Sequence, residues 1–424
     1  MKINTEQLIK VIDFWQKSVK SEDLIERAVL DEIDFKTKEV IDIIGSRRSG
    51  KSSLLKLIIS RQKIKDSSFY INFEDPVFIE QNSPQIIEEI ISIFKEYFNK
   101  NLKYVFFDEI QEINQWEKAI RKLRDAEELK IFITGSSSKL LGKELATLLT
   151  GRHLTHTVHP LSFSEFVRFS GVKAKKRKDA VLQENLLFKL FGEYINIGGF
   201  PEAVLTKNEA LLKQYFFDIL EKDVMAKQEI REKKVLEKIA IYLLSNSGKI
   251  ISLESIKAAF HISFAAAAKY LEYLKEAFLI FELPQFSFSL KKQQKAQKKI
   301  YSIDCGLSRA VSFRFSEDKG RVLENIVFME LSRRYQELYY YKTKNNLEID
   351  FLAKESAQIK ELIQVCWSLA DEKTREREIR NLTAGMDELG LKEGLILTHQ
   401  ENDILEYKGK KIIIMPVYRW LLNI

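Results

Sequence analysis

Residues 45–52 read Gly-Ser-Arg-Arg-Ser-Gly-Lys-Ser, a loop of the pattern G-x-x-x-x-G-K-[ST] between two apolar segments. The segment 40–44 predicts a buried strand, and 53–59 predicts a buried helix. Glycines let the backbone wrap around a phosphate, and the helix N-terminus adds partial positive charge. Lys51 can reach the β- and γ-phosphates, and the Ser52 hydroxyl can ligate Mg²⁺. The pattern predicts a nucleoside triphosphate site rather than a plain glycine and serine turn. The predicted phosphate-binding residues are Gly45, Ser46, Arg47, Arg48, Ser49, Gly50, Lys51, Ser52 and Ser53.

A second apolar run, 104–107, ends in the carboxylates Asp108 and Glu109. A buried parallel strand delivers its last residues to the carboxyl edge of the sheet, where ligands bind in open α/β folds. Asp108 would hold Mg²⁺ through water, and Glu109 would polarise the attacking water as a general base. The alternative is that both residues open a solvated loop. Together with the upstream loop, this strand predicts hydrolysis as well as binding.

Two more positions complete the predicted ATP site. The strand-like run 130–133 leads into Thr134 and Ser136, either of which could contact the γ-phosphate or the attacking water. A simple turn at the end of a strand would use the same residue types. Arg152, after Gly151, is a candidate arginine finger for a neighbouring subunit, and a surface arginine behind a helix-ending glycine is the alternative. The predicted catalytic residues are Glu109, Lys51, Arg152 and Ser136, and the predicted metal ligands are Ser52 and Asp108.

The composition is ordinary for a protein with a large apolar core and no membrane segment. Of 424 residues, 45% are hydrophobic and 30% are charged, which fits two or three domains. No apolar run approaches the ~18 residues of a transmembrane helix, and residues 1–20 contain no signal-peptide core. The two cysteines, Cys305 and Cys366, form no metal-ligand pattern. We therefore expect a cytoplasmic protein with no membrane partner.

Basic residues concentrate in two clusters, 173–178 and 291–299, in a chain with a net charge of +7. Such clusters can hold nucleic-acid phosphates, although a run of lysines is more often a solvated loop. Neither cluster interleaves aromatic residues that would stack on bases. The sequence leaves a DNA partner open.

Together, these motifs resemble those of AAA+-type predicted ATPases of archaea and bacteria that carry a C-terminal restriction-endonuclease-like domain. The matching segments are 45–52, 107–111, 133–137, 151–152, 160–166, 198–202, 348–351 and 362–366. They cover most of the chain in the expected order. The resemblance implies an α/β fold: a P-loop NTPase (AAA+-like) parallel sheet with a helical lid, a winged helix and a C-terminal restriction-endonuclease-like α/β domain. It also implies ATP and Mg²⁺ as cofactors.

The chain divides into five predicted parts. They are an N-terminal helical arm at 1–30, a P-loop ATPase core at 31–160, a helical lid at 161–231, a winged helix at 232–290 and a nuclease-like domain at 296–424. Within the winged helix, strands are predicted at 278–281 and 286–288. Its third helix begins with four alanines at 265–268, which carry no hydrogen-bonding groups to read base edges. We therefore favour a structural or protein-docking role for this helix over contact with a DNA backbone.

The C-terminal domain, which opens with a predicted strand at 299–303, lacks two groups of the nuclease pattern that it resembles. Glu324 and Asp350 match the metal-ligating acids. Gln364 and Cys366 replace a glutamate ligand and a lysine, but a neutral amide binds hard cations poorly and a thiol supplies no ammonium charge. The candidates for a relocated lysine are Lys354 and Lys360. We expect a degenerate PD-(D/E)xK domain used for binding or assembly.

The sequence thus predicts an AAA+-like protein that binds ATP and hydrolyses it with Mg²⁺, as a regulatory switch or remodeler acting on a protein or nucleic-acid partner. An arginine finger acting in trans would require a homo-oligomer. One alternative is an ATP-gated DNA nuclease, and another is a nucleotide-stabilised scaffold. Gln364 and Cys366 argue against the nuclease, and Glu109 argues against the scaffold.

Overall fold

The computed structural model describes residues 4–19, 24–126, 129–137, 151–172, 177–226, 230, 232–312, 318–356 and 358–423. The predicted lysine cluster at 173–178 lies largely outside these residues. The chain forms two compact units, Met1–His159 and Pro160–Ile424.

The first unit is built on a five-stranded sheet. Its strands are β1 (Val40–Ile44), β2 (Ser68–Asn72), β3 (Tyr104–Asp108), β4 (Lys130–Gly135) and β5 (His153–Thr157). They are all parallel, in the order β2-β3-β4-β1-β5, and the three central strands are buried almost throughout. Ile44 lies opposite Gly135, and Phe107 lies opposite Ile133, so β1, β3 and β4 end at the same edge. The predicted α/β parallel sheet is confirmed.

In the described part of this unit, four helices accompany the sheet. They are α1 (Thr5–Lys17), α2 (Lys51–Arg61), α3 (Gln85–Tyr97) and α4 (Trp116–Ala126). α1 begins at a capping box, in which the side chains of Asn4 and Gln7 each accept the other residue's backbone N–H. α1 packs against β2 and α3, and Nε1 of Trp15 donates to Asp75 at 2.9 Å. The N-terminal helix therefore packs on the sheet of its own unit.

The second unit begins with helices. They are α5 (Phe163–Phe169), α6 (Arg177–Leu182), α7 (Glu184–Ile197), α8 (Pro201–Thr206) and α9 (Ala210–Asp218), with a π-helical turn at Ile219–Met225 continuing α9. Ser162 and Glu165 form a capping box at the start of α5. The helical character predicted for 161–231 is confirmed for the described part of this segment.

A three-stranded sheet follows. This region contains α10 (Lys233–Ser245), β6 (Lys249–Ile251), α11 (Leu253–Phe260), α12 (Phe264–Glu276), β7 (Ile280–Leu283), α13 (Leu290–Lys295) and β8 (Lys298–Ser302). Its strands are antiparallel, in the order β6-β8-β7. β8 therefore lies between β6, which is about fifty residues earlier in the sequence, and β7, which is the strand immediately before it.

The C-terminal part forms a mixed six-stranded sheet. Its strands are β9 (Glu337–Lys342), β10 (Glu348–Glu355), β11 (Gln358–Val365), β12 (Glu393–Thr398), β13 (Asp403–Tyr407) and β14 (Lys410–Pro416), in the order β13-β14-β12-β11-β10-β9. The helices of this region are α14 (Cys305–Val311), α15 (Lys319–Arg334), α16 (Glu372–Leu389) and α17 (Val417–Leu421). β11, β12 and β14 are parallel to one another. Among the described residues, no helix has the length and apolar character needed to cross a membrane.

One strand prediction in the second unit is wrong, and a second predicted strand is confirmed but belongs to a different sheet than expected. The segment 286–288 forms no strand, because Phe286 packs into the core of the six-stranded sheet and its N–H donates to the Tyr340 carbonyl at 2.7 Å. The strand predicted at 299–303 as the start of the C-terminal domain is β8, which pairs with β6 and β7. Both segments have the local pattern of a strand, but the pairing partner is set by tertiary packing.

Two consecutive glycines close the chain around a buried carboxylate in this unit. Gly198 has a φ of 72°, and a Cβ there would collide with the carboxylate of Asp304. Asp304 accepts hydrogen bonds from the backbone N–H of Gly199 at 2.7 Å and of Leu307 at 2.8 Å, the second as the N-cap of α14. Burial raises the pKa of the Asp304 carboxyl to about 6. The glycines of the segment 198–202 thus have a packing role.

Candidate functional site

The predicted phosphate-binding loop lies between β1 and α2, at the carboxyl edge of the parallel sheet. Gly50 is the N-cap of α2 with a φ of 100°, a conformation that favours glycine. Gly45 has a φ of 151°, and a Cβ there would collide with the Val158 carbonyl. Arg48 has a positive φ of 68°. The backbone therefore follows a tight curve with a glycine at each end.

Lys51 reaches back into this loop. Its Nζ lies 3.2 Å from the Ser46 carbonyl oxygen and 3.4 Å from Oε1 of Glu109, and the side chain is 4% exposed. The hydroxyls of Ser46 and Ser49 are buried without a hydrogen-bond partner among the described residues. Such hydroxyls are rare in folded proteins unless a ligand or water completes them. A buried ammonium and two unused hydroxyls within a glycine-bounded loop fit a bound phosphate group.

The other predicted loop residues lie at the rim. Nη1 of Arg47 forms an ion pair with Oε1 of Glu74 at 2.8 Å. Ser52 is half-buried and Ser53 is exposed, both in the first turn of α2. The N–H groups of a first helical turn have no partner within the helix. Ser53 would therefore contribute its backbone N–H to the site rather than a buried side chain.

Asp108 is fully buried at the end of β3 and accepts several hydrogen bonds. The donors are the hydroxyl of Tyr70 (2.8 Å), Nδ2 of Asn72 (3.1 Å), and the hydroxyls of Thr134 and Ser52. Burial raises the pKa of the Asp108 carboxyl, and the charge of Glu109 raises it further. A nearby positive charge would stabilise the ionised form of such a carboxylate. Asp108 and Ser52 are thus in contact, as two oxygen ligands of one Mg²⁺ would be.

Glu109 has a left-handed backbone conformation, with φ 51° and ψ 49°. Its N–H donates to the Thr134 hydroxyl at 2.9 Å, and its Oε2 accepts from Nε2 of Gln111 at 2.6 Å. Non-glycine residues seldom adopt this conformation, and those that do often lie at functional sites. The turn directs the two carboxylates apart, so that Asp108 contacts Ser52 while Glu109 contacts Lys51.

Thr134 and Ser136 take different positions at the end of β4. The Thr134 hydroxyl donates to Asp108 and accepts from the Glu109 N–H, so its only proton is used within the protein. Ser136 is buried one residue beyond Gly135, which lies opposite the last residue of β1. Both residues lie at the same edge as the loop. Of the two predicted sensors, Ser136 keeps that role as a prediction, and Thr134 positions the carboxylates.

Arg152 lies away from the loop of its own chain. It precedes β5, whose first residue, His153, pairs with Val40 at the start of β1. The loop follows the opposite end of β1. Nη1 of Arg152 forms an ion pair with Oδ2 of Asp125 at 2.8 Å. The structure does not bring Arg152 into the site of its own chain, and its action in trans stays a prediction.

Three residues outside the predicted set support the site. Nη1 of the buried Arg27 donates to the Ser49 carbonyl at 2.9 Å, and Nη2 donates to the His159 carbonyl at 2.8 Å. No local motif surrounds this arginine, so the sequence carried no signal for it. Tyr70 and Asn72 stand two apart at the end of β2, which places both beside Asp108. Side chains two residues apart on a strand lie on the same face, so this spacing of polar residues could have predicted them.

A second cluster of carboxylates, two of them buried, lies in the other unit around Lys299 of β8. Its Nζ is 2.9 Å from Oε1 of Glu324, 3.0 Å from Oδ1 of Asp350 and 2.9 Å from Oε1 of Glu348. The Lys299 side chain is 2% exposed, and the Tyr301 hydroxyl donates to Glu324 at 2.6 Å. The ammonium therefore lies among the acids that would ligate a cation. The described residues contain no group of three His, Cys, Asp or Glu arranged to hold a metal ion.

Gln364 and Cys366 do not supply metal ligands to this cluster. Oε1 of Gln364 accepts the Asp350 N–H at 3.3 Å, and its Nε2 donates to Glu378 at 2.6 Å. Cys366 is buried, and burial raises the pKa of its thiol. Both side chains are part of the core between β11 and its neighbours.

The two lysines considered as alternative replacements have other partners. Lys354 pairs with Glu337 at 3.2 Å, and Lys360 pairs with Glu355 at 3.4 Å. These pairs do not support the alternative that one of them takes the place of the missing lysine. The lysine at this cluster is Lys299, which belongs to the basic run 291–299 and begins the predicted strand 299–303.

Comparison with known proteins assigns this chain to a family. Residues 37–167 match the AAA domain family, residues 188–318 match a domain of unknown function (DUF8612), and residues 319–420 match another (DUF4143). The uncharacterized protein MJ1544 of Methanocaldococcus jannaschii is 39% identical over 404 residues, covering 90% of this chain and 88% of that protein. The chain belongs to the family of MJ1544. An uncharacterized protein of Haemophilus influenzae is 31% identical over 408 residues, covering 92% of this chain and 96% of its own length.

The AAA match covers the five-stranded sheet, so this member of the MJ1544 family has a P-loop NTPase domain. Two solved structures are distantly similar to this chain. The ORC1 protein of Aeropyrum pernix, in complex with DNA, has a TM-score of 0.30 at 9% identity, covering 64% of this chain and 86% of that chain. Cdc6p from Pyrobaculum aerophilum has a TM-score of 0.27 at 11% identity, covering 77% of this chain and 94% of that chain.

Proposed function

We propose that this AAA-domain protein binds ATP with Mg²⁺ and hydrolyses it. Through this ATP cycle the protein would act as a regulatory switch or remodeler on a protein or nucleic-acid partner. One observation carries the proposal. The loop holds a buried ammonium next to Asp108 and Glu109, and two buried hydroxyls that have no hydrogen-bond partner among the described residues. A purely structural loop would leave these two hydroxyls uncompensated.

Each residue has a role that follows from its contacts. The loop N–H groups and Lys51 would hold the phosphates, and Ser52 with Asp108 would hold the metal ion. Bound Mg²⁺ neutralises charge on the phosphoryl oxygens and orients them for in-line attack. Glu109 would accept a proton from the attacking water. Because Lys51 contacts Glu109 in the structure, phosphates that compete for Lys51 would release Glu109 to act as a base.

Glu109→Gln tests the hydrolytic step. We expect nucleotide affinity close to that of the parent and a turnover lower by roughly two to four orders of magnitude, because the amide cannot take the proton. Glu112→Gln is the matched control, since Glu112 is an exposed carboxylate in the same short turn. Parent-like turnover in Glu109→Gln would remove the general-base role. Lys51→Ala should instead weaken nucleotide binding itself.

Arg152→Ala tests for a finger supplied in trans. Nucleotide affinity should stay near the parent value while turnover falls, because an arginine finger acts on the transition state. Mixing Arg152→Ala with Lys51→Ala should restore part of the activity, since one mixed interface then combines an intact finger with an intact loop. An equal loss of binding and turnover without rescue would assign Arg152 a structural role through its Asp125 pair.

For the second unit, we propose a helical lid, a winged helix and a restriction-endonuclease-like sheet used for binding or assembly. The element order α10-β6-α11-α12-β7-α13-β8 and the mixed six-stranded sheet support this assignment. Lys299 among Glu324 and Asp350 argues against cleavage. With ATP and either Mg²⁺ or Mn²⁺, the protein should not cut single- or double-stranded DNA. Metal-dependent nicking that is lost in Asp350→Ala would establish a nuclease instead.

A further inference from the structure

The connection between β7 and β8, residues 284–297, is anchored at both of its ends to the edge strand β9. The Phe286 N–H donates to the Tyr340 carbonyl at 2.7 Å, and the Tyr340 N–H donates to the Pro284 carbonyl at 3.0 Å. At the other end, the Tyr340 hydroxyl donates to the Gln297 carbonyl at 2.6 Å. One tyrosine thus fixes both ends of the connection. These hydrogen bonds hold the backbone on both sides of the middle of the connection.

The middle of this connection exposes two large apolar side chains. Phe288 is 82% exposed and Leu290 is 75% exposed. The Phe288 ring makes a T-shaped contact with the buried Phe286 ring, with 5.0 Å between centroids, while most of its surface stays open to solvent. Ser289 caps α13 by accepting the Lys292 N–H. An exposed aromatic ring held against a buried one is a ready surface for stacking.

The same connection is strongly basic. Residues 284–297 contain Lys291, Lys292 and Lys295 and no aspartate or glutamate. All three lysines are exposed, and none forms an ion pair with a described residue. The neighbouring Lys298 differs, since it pairs with Glu282 at 2.8 Å. The three charges of α13 are therefore available to an anionic partner. We call the exposed residues Phe288, Leu290, Lys291, Lys292 and Lys295 the α13 surface.

From these observations we infer that the α13 surface binds single-stranded nucleic acid, with an unpaired base on the Phe288 ring and backbone phosphates on the lysines. Flat apolar rings next to unpaired lysines are the two components of such sites. A lipid bilayer would need a wider apolar face than Phe288 and Leu290 supply on a six-residue helix. A duplex keeps its base faces stacked and gives the ring no partner. No interleaved aromatic pattern marks this site in the sequence, because Phe288 precedes the lysines rather than alternating with them.

The inference names a partner class for the proposed switch, but the binding itself requires no ATP. Full-length protein without nucleotide would be titrated into a fluorescent oligothymidine longer than the ~16 nucleotides that the larger sites of this kind cover. Phe288→Ala should weaken binding by about 10- to 100-fold, the range for loss of one stacked base. The control is Ile404→Ala, which truncates another exposed apolar side chain on β13. The ATPase turnover of Phe288→Ala should stay at the parent value. Weaker oligothymidine binding with retained turnover would show that nucleic-acid binding and the proposed ATPase function can be tested separately.

A second variant isolates the charges. Lys291→Gln, Lys292→Gln and Lys295→Gln, combined in one chain, should reduce the slope of log affinity against log salt by about 2, since each phosphate contact on a single strand contributes ~0.7. The matched control replaces three exposed lysines with glutamine and thus changes the net charge equally. These control positions are Lys373, Lys392 and Lys408.

Three results would overturn the inference. The first is parent-like affinity and salt dependence in both α13 variants, with thermal unfolding confirming that each is folded. The second is equal binding of oligothymidine and duplex DNA that is unaffected by Phe288→Ala. The third is binding to vesicles of phosphatidylserine and phosphatidylcholine without binding to oligothymidine, which would assign the surface to membranes.

Discussion

Lys51 and Lys299 are both buried beside carboxylates, but only one of them leaves its surroundings incomplete. Lys51 contacts one carboxylate oxygen, at 3.4 Å, and its loop contains two hydroxyls without a partner in the described structure. Lys299 contacts three carboxylates at 2.9 to 3.0 Å. The first cluster retains capacity for a ligand, and the second is satisfied within the protein. Two sites with similar residue types can therefore differ in function because their hydrogen bonds are differently distributed.

The largest expected effect is on the satisfied cluster. Lys299→Met leaves the buried Glu324 and Asp350 without their counter-charge and should lower the free energy of unfolding by about 3–5 kcal/mol, the usual cost of breaking a buried ion pair. Chemical denaturation would measure it. Lys298 is the neighbouring control, because it has one partner and an exposed side chain. Lys298→Met should lower the free energy of unfolding by about 1 kcal/mol or less. Equal losses in the two variants would show that Lys299 has no special position.

Asp304 provides a buried carboxylate that has backbone N–H donors and no lysine contact among the described residues. Because burial raises its pKa to about 6, the folded state binds this proton more tightly than the unfolded state. Its contribution to stability is therefore full below the ordinary carboxyl pKa and is lost as the pH rises through about 6, by up to ~3 kcal/mol. Asp304→Asn should remove this slope in denaturation measurements across that pH range. An unchanged slope would mean that another group produces it.

Thr134→Val tests how the open site holds its carboxylates. Valine keeps the shape but removes the donor to Asp108 and the acceptor for the Glu109 N–H, so we expect a loss of about 2 kcal/mol in unfolding free energy. Turnover should fall as well, because both carboxylates lose a positioning contact. Thr383→Val is the control, since its hydroxyl donates only to the Ile379 carbonyl within α16. If both variants lose the same stability, Thr134 is an ordinary buried threonine.

The smallest effect is expected at Lys51. Lys51→Met should change the free energy of unfolding by only about 1 kcal/mol, because it loses one 3.4 Å contact with Glu109 and one hydrogen bond to the Ser46 carbonyl, and Glu109 keeps its Gln111 donor. Nucleotide protection against thermal unfolding, measured with and without ATP, should nevertheless disappear. A loss as large as that of Lys299→Met would show that Lys51 is primarily structural and would end the contrast between the two clusters.

The loop site could be predicted because its groups are contiguous in sequence. Residues 45–52 form one uninterrupted pattern, and Asp108 ends an apolar run that becomes β3. The C-terminal cluster could not be predicted in the same way. Lys299 contacts Glu324 from 25 residues away and Asp350 from 51 residues away, through a strand that pairs with β6 and β7. No local periodicity encodes that pairing, so the lysine was sought on β10 and β11, which carry the expected ligands.

The backbone of Glu109 has a further consequence for how this protein can evolve. A left-handed conformation costs a residue with a side chain roughly 1 kcal/mol or more relative to glycine. Glycine at this position would relieve the cost, and the resulting chain would fold at least as readily while lacking its proposed base. Selection for thermal robustness and selection for turnover would therefore favour different residues at this one position.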